Sequence, residues 1–170
     1  MMIESPEIDP EQVRQTMRRW ATGVTVVTSC HNGFRHGMTV SSFTSISLSP
    51  PLLLVSLQHE ARTHSLVKSS RVFGVTLLRE DQAAISDRFA GRLSEESNRF
   101  EGLQTFDLLT GSPFLQDGLA FMDCQVAQEI SIGDHTLFIG RIVALQTAPA
   151  GQPLIYFDRH YHSLKERLTK

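Results

Sequence analysis

Residues 22–57, TGVTVVTSCHNGFRHGMTVSSFTSISLSPPLLLVSL, decide the fold. They divide into runs rich in Val, Thr, Ile and Leu: TGVTVVTS (22–29), FRHGMTVSSFTSISLS (34–49) and PLLLVSL (51–57), with His31-Asn32-Gly33 as a turn. β-Branched residues fit a pleated, half-buried surface, and Asn-Gly accepts the positive φ angles of a tight reversal. The stretch therefore reads as consecutive antiparallel strands. Further along, RVFGVTLL (71–78) is strand-like, and LAFMDCQVAQEIS (119–131) alternates at Ala120, Met122, Cys124 and Val126. Gly133-Asp134 turns that strand into HTLFIGRIVALQT (135–147), which predicts a hairpin. LIYF (154–157) predicts a last short strand.

Helices are fewer. Asp9 is placed to cap a helix over about 10–21, with Pro10 at its first position and Gln12 three residues after the cap. Val13, Met17 and Trp20 share one face at i, i+4, i+7 spacing, so that face is expected to lie on the body of the protein, with Arg14, Arg18 and Arg19 outside. RTHSLVKS (62–69) has helical spacing through Leu66 and Val67. EDQAAISDRFAGRL (80–93) predicts another helix, with acidic residues in its first turn and Ala83, Ala84 and Phe89 apolar. Residues 94–118, rich in Ser, Gly and charge, predict a long surface excursion with one short helix, a kind of loop that tends to be functional. Seven or eight strands without regular strand–helix alternation predict a mainly β fold, an antiparallel barrel with a few helices. The chain is expected to be one domain, 1–170, with its core at about 13–164.

Composition removes several function classes. With 170 residues, 16 Lys+Arg against 18 Asp+Glu and a net charge of −2, the chain has no basic field for nucleic acid. Cys30 and Cys124 are too far apart in sequence for a Cys-x-x-Cys metal or redox motif. The longest stretch without Asp, Glu, Lys or Arg, His36 to His59, contains Pro50-Pro51 and many hydroxyls, unlike a membrane span. The acidic segment MMIESPEIDPEQ lacks the basic and apolar character of a signal peptide, so the cytoplasm is the expected location.

Common catalytic motifs are missing. No glycine fingerprint, phosphate loop, H-E-x-x-H pair or G-x-S-x-G elbow occurs. His31, His36, His59 and His64 are scattered, and His160 with His162 is a weak metal candidate, so no metal is expected. What stands out is a row of hydroxyls: Thr39, Ser41, Ser42, Thr44, Ser45, Ser47 and Ser49. It reads either as an exposed strand face or as a cradle whose small side chains let backbone N–H groups approach a polar ring edge or a phosphate.

The segments RRWATGVTVVT, GMTVSSFTSISLSPPLLLVSL, ARTH, FGVTLL, RFAG, GDHTLFIGRI and LIYFDRHYHSL, in that order from about Met17 to Leu164, resemble the short-chain flavin reductases of two-component monooxygenases. The resemblance implies an FMN-binding split barrel, a homodimer, and reduction of FMN or FAD by NADH or NADPH for a partner oxygenase component. It implies that Thr39, Val40, Ser41, Ser42 and Ser45 line the flavin ring. Ser56, Arg62 and Thr63 then correspond to the phosphate-binding stretch, with the N-terminus of the 62–69 helix directed at the same phosphate. His135, in Gly133-Asp134-His135, resembles a motif beside nicotinamide and flavin, and Phe89 and Tyr161 are candidates to pack on either ring. A lone histidine at a hairpin turn is otherwise solvent-exposed, Arg62 is otherwise a solvated helix-start cation, and Phe89 otherwise belongs to the core.

Three positions depart from the family pattern: Gln58 where Asn is frequent, Ala61 where Ser is frequent, and Thr76 where Asn is common. The first two remove or shift a phosphate ligand. Two rival readings remain at this stage. One is a flavin-binding electron-transfer or sensor barrel without nicotinamide turnover, and the other is a non-enzymatic barrel whose hydroxyl row is surface.

Overall fold

The computed structural model describes residues 7–91 and 98–164. In chain order the elements are α1 (Pro10–Met17), β1 (Thr22–Gly23), β2 (Thr25–His31), β3 (Phe34–Val40), β4 (Thr44–Leu48), β5 (Pro51–Gln58), α2 (Arg62–Ser70), β6 (Val72–Leu77) and α3 (Ala83–Phe89). They continue with β7 (Thr105–Phe106), β8 (Phe114–Leu115), β9 (Ala120–Ile132), β10 (His135–Thr147), β11 (Ile155–Phe157) and β12 (His160–His162). The expected mainly β, antiparallel architecture is present, with more and shorter strands than the sequence distinguishes.

Seven strands form one antiparallel sheet in the order β3-β2-β6-β9-β10-β5-β4. Its two edge strands, β3 and β4, are consecutive in sequence and joined by residues 41–43 alone. Three residues reach only about 10 Å, so the sheet has to curl until its edges nearly meet. That is a barrel with a split, and the split runs along the hydroxyl-rich crossing. Asn32 (φ 51°) and Gly33 (φ 77°) both adopt positive φ, the backbone of a two-residue hairpin matched to strand twist.

Two cores result. Inside the barrel, Val27, Leu53, Val55, Leu57, Phe73, Val75, Cys124 and Phe138 pack together, joined by Val67 of α2. Each of the large side chains contributes roughly 1.5–3 kcal/mol on burial. Gly140 is required here by close approach, since a Cβ on it would lie 2.5 Å from Phe73 Cζ. The second core lies between sheet, α3 and the C-terminal strands: Val24, Val26, Leu78, Phe89, Phe100, Leu115 and Leu154.

Several expectations are corrected. Helix α1 begins as expected, with Asp9 accepting from the Glu11 amide at 3.0 Å, but its apolar stripe does not lie on the body. Val13 (48%), Met17 (58%) and Trp20 (68%) are exposed. The predicted helix at 80–93 starts at Ala83 with no acidic residue in its first turn, because Asp81 instead chelates the Arg79 guanidinium at 2.8 Å through both carboxylate oxygens. Residues 92 and 93 of that prediction, and 94–97 of the excursion, lie outside the described residues. Described residues 98–118 contain no helix but the short β7–β8 pair, and they bury Phe100, Phe114 and Leu115. Asp123, fully buried on β9, holds this segment by accepting from the Leu109 amide (2.8 Å), the Thr110 amide (2.7 Å) and the Thr110 hydroxyl (2.5 Å). The excursion is therefore packed and tethered.

Candidate active site

The split is pinned by hydroxyls. Ser42, in the crossing segment, donates through Oγ to the Ser56 carbonyl (2.8 Å) and accepts from the Ser56 amide (3.2 Å), closing the gap onto β5. Thr39, at the end of β3, donates to the Ser86 carbonyl of α3 at 2.7 Å. Between these two anchors Ser41 is exposed, held in place by neighbours that are both committed.

Three adjoining cavities open along this crossing. The first, about 240 Å³, is lined by His36, Met38, Thr39, Glu60, Arg62 and Arg99, among others. The second, about 200 Å³, lies between Val40 and Ser41 on one side and Tyr156 and Tyr161 on the other. The third, about 710 Å³ and mostly apolar, runs from Ser41, Ser42 and Ser56 to Met17 and Trp20. Thr39 borders the first and second, Ser41 the second and third. Residues 39–42 thus border all three cavities between them.

The first cavity is cationic. Arg62 opens α2, whose N-cap Ala61 makes no side-chain hydrogen bond and whose first turn holds no acidic residue, so the helix amides there lack a side-chain cap. Thr63, fully buried, is hydrogen-bonded through Oγ1 to His36 Nδ1 at 2.8 Å. Arg99 reaches in from the segment after α3, donating from Nη1 to the carbonyls of Gly37 (3.0 Å) and Phe89 (2.9 Å). Burial first, then the Arg99 and Arg62 charges, push the His36 imidazole down to about 4, so it is neutral near pH 7. Two guanidiniums and a helix N-terminus favour an anion.

The second cavity carries the aromatic wall. The Tyr161 hydroxyl lies 2.9 Å from Ser86 Oγ and 2.8 Å from Asp87 Oδ1, tying the β11–β12 hairpin to α3. Tyr156 and Tyr161 rings stand 5.4 Å apart. Phe89 borders the first cavity but is fully buried, edge-on to Phe100, so its main contact is with the core.

Of the residues singled out in the sequence, Thr39, Val40, Ser41, Ser42, Ser56, Arg62, Thr63, Phe89 and Tyr161 border the three cavities. Ser45 and His135 do not. Ser45 is exposed on β4, opposite Leu53. His135 opens β10, paired with Gln58, and its Nδ1 lies 2.7 Å from Asp134 Oδ1. The hairpin tip nevertheless abuts the β5–α2 turn, because the His59 amide donates to the Asp134 carbonyl at 2.9 Å, next to Glu60 and Ala61 of the first cavity. Thr76 has a structural role: buried on β6, it accepts from the Leu115 amide at 3.4 Å and helps seat β8. His160 and His162 are exposed, and no metal-binding cluster occurs among the described residues.

Sequence reasoning missed His36, Glu60, Ser86, Arg99 and Tyr156. His36 lies one residue before the GMTVSSF stretch and Tyr156 inside LIYF, so both were within reach of a wider window. Arg99 carries no such signal, since only the packing of the 98–118 segment brings it to the groove.

The split of the barrel thus carries the hydroxyl-bearing crossing, a pair of tyrosines and a cationic cavity side by side. Comparison with known proteins gives this split barrel a family. The flavin reductase like domain matches residues 17–165, and the chain belongs to that family. It is 40% identical to the NADH-dependent flavin reductase StyB of Pseudomonas fluorescens, over 92% of this chain and 91% of that protein. It is 36% identical to the reductase component of the FADH(2)-dependent resorcinol hydroxylase of a Rhizobium species, over 92% and 88%. Among solved structures, the styrene monooxygenase flavin reductase of Pseudomonas putida S12 superposes with a TM-score of 0.82 at 39% identity, covering 92% of this chain and 99% of that one.

Proposed function

We propose that this chain is an NADH-dependent flavin reductase that supplies reduced flavin to a separate oxygenase component. The observation that carries the reading is that residues 39–42 border all three cavities between them, Thr39 reaching the cationic one with Arg62, Arg99 and the start of α2. Relatives named for NADH and for an oxygenase system supply donor and partner class. A bound flavin supplies the redox chemistry, accepting hydride from the nicotinamide.

The chain's residues bind and orient. A bound flavin would have its ring along Thr39, Val40, Ser41 and Ser42 with Tyr161 opposite, and its phosphate would be held by Arg62 at the start of α2, next to Thr63. Donors held at the ring's polar edge would stabilise the negative charge of the reduced flavin. Ser56 lends its backbone, already bonded to Ser42, to keep that wall rigid. Ser45 and Phe89 are left with supporting roles. We assign to the nicotinamide side His135, which borders none of the three cavities but sits on the hairpin tip bonded to the β5–α2 turn, its Nδ1 2.7 Å from Asp134 Oδ1; hydride transfer requires no side-chain base there.

The exposed stripe of Val13, Met17 and Trp20, with Ile130, Ile132 and Leu145 on the projecting hairpin, supports a homodimer. Free Cys30 and Cys124 accord with the reducing cytoplasm, and no helix among the described residues is long and apolar enough to cross a membrane.

The test is anaerobic absorbance with catalytic protein, excess FMN or FAD, and NADH or NADPH. Many flavins bleached per protein, with NADH preferred, is the expected result. Flavin binding without bleaching would favour an electron-transfer or sensor role, and absence of binding would leave only the barrel.

A further inference from the structure

His36 stands in the cationic cavity without an assigned task. Its Nδ1 edge is committed to Thr63 Oγ1 at 2.8 Å, and no hydrogen bond of Nε2 is formed among the described residues. The imidazole is half-buried on β3, facing Arg62 and Thr63 of α2, Glu60 of the preceding turn and Arg99 across the cavity. If the Thr63 hydroxyl donates to Nδ1, Nε2 carries the ring proton and offers a donor to the cavity. If Nδ1 donates to Thr63, the Thr63 hydroxyl proton is the one left to offer. Thr63 is fully buried, so the first arrangement is the one that presents a donor, the His36 imidazole, to the cavity between two guanidiniums.

We propose that His36, its ring oriented by Thr63, is a specificity-determining residue for the phosphate of the flavin, presenting a directional donor to a phosphate oxygen held by Arg62. The proposal rests on the flavin reading above. Its logic is a division of labour. Guanidiniums attract any anion over several ångströms, and salt screens that attraction. A neutral imidazole adds no field, so its contribution depends on geometry and is insensitive to ionic strength. A tetrahedral phosphate seated on Arg62 can meet such a donor; a planar carboxylate spanning the guanidinium fork has no third oxygen to offer. The depressed protonation of His36 agrees, because near pH 7 the ring meets an incoming anion in its uncharged form.

The experiment is fluorescence titration of riboflavin, FMN and FAD at two salt concentrations with the wild-type protein, His36→Leu, His36→Gln and Arg62→Ala. His36→Leu is expected to weaken FMN about tenfold, as for loss of one hydrogen bond to a charged group. It should spare riboflavin and leave the salt dependence unchanged, with His36→Gln recovering part of the loss through its amide. Arg62→Ala should weaken FMN and flatten the salt dependence. FAD following FMN would show that a diester phosphate serves as well as a terminal one, and FAD unaffected would restrict the role to the monoester. Unchanged FMN affinity in His36→Leu, or equal weakening of riboflavin and FMN in both His36 variants, would overturn the proposal. A wild-type protein that binds riboflavin as tightly as FMN would instead overturn the phosphate reading beneath it.

Discussion

Replacing Tyr161 by Phe removes one oxygen and leaves the ring in place. That oxygen is the tether between the β11–β12 hairpin and α3, through Ser86 Oγ (2.9 Å) and Asp87 Oδ1 (2.8 Å). One phenol proton cannot serve both partners at full strength, so the loss is one charge-assisted bond plus a fraction. That amounts to about 2 kcal/mol. The hairpin's other ties survive the substitution: β11 pairs with the two-residue β1 and with β12, the Asp158 amide donates to the Arg18 carbonyl at 3.2 Å, and the Tyr156–Tyr161 ring contact remains on the second core. A local loss of about 2 kcal/mol raises the open population roughly thirtyfold. Hydrogen exchange should therefore accelerate by about that factor in residues 154–164, while β9 and β10 keep their protection. The hairpin is one wall of the second cavity, so the KM for flavin should rise with little change in kcat. Exchange in 154–164 within threefold of wild type would refute the tether, and equal acceleration in β9 and β10 would refute its being local.

Two further outcomes concern stability. Burial and the nearby arginines hold folded His36 near 4, below its ordinary 6.5, and burial lowers His64 in the same direction. Between these values the unfolded chain binds more protons, so stability is full above about pH 6.5 and falls as pH drops towards 4. The gap is worth about 3 kcal/mol for a fully buried group, and His36's partial exposure reduces it to about 1.5. Urea midpoints at pH 7.5 and 5.0 measure it, and an unchanged pH slope in His36→Leu would contradict the assignment. Asp123→Ala leaves the amides of Leu109 and Thr110 without their acceptor, at a cost of about 3–5 kcal/mol. Thermal melting should drop by roughly 6–20 °C for a domain of this size, and a drop below 3 °C would show that the segment is held by its apolar contacts instead.

The strands were legible because β-branched runs and turn residues are local signals, and Asn32-Gly33 reports its own backbone. Topology followed less directly: nothing in residues 34–49 marks the break at 41–43, which the curling of the sheet imposes. The stripe of Val13, Met17 and Trp20 was read correctly as a stripe and wrongly as covered, since periodicity states that a face exists and not what lies on it. Residues 98–118 misled through composition, because polar neighbours hide Phe100, Phe114 and Leu115. The hydroxyl row mixed both of its readings, with Thr39 and Ser42 bonded to backbone, Ser41 on the groove and Ser45 on the surface. His36 and Arg99 are 63 residues apart in number and meet only because β3 and the post-α3 segment border one cavity.

The central claim is that flavin is reduced by NADH in the cavities bordered by residues 39–42. Anaerobic stopped-flow absorbance of the wild-type protein beside Ser41→Trp tests it most directly, since Ser41 is exposed, borders two of the cavities and belongs to neither core. The account predicts multiple turnovers of flavin bleaching by the wild type, and loss of at least 90% of that rate in Ser41→Trp with an unchanged melting temperature. Full bleaching by a folded Ser41→Trp protein would place the reaction elsewhere and contradict the account.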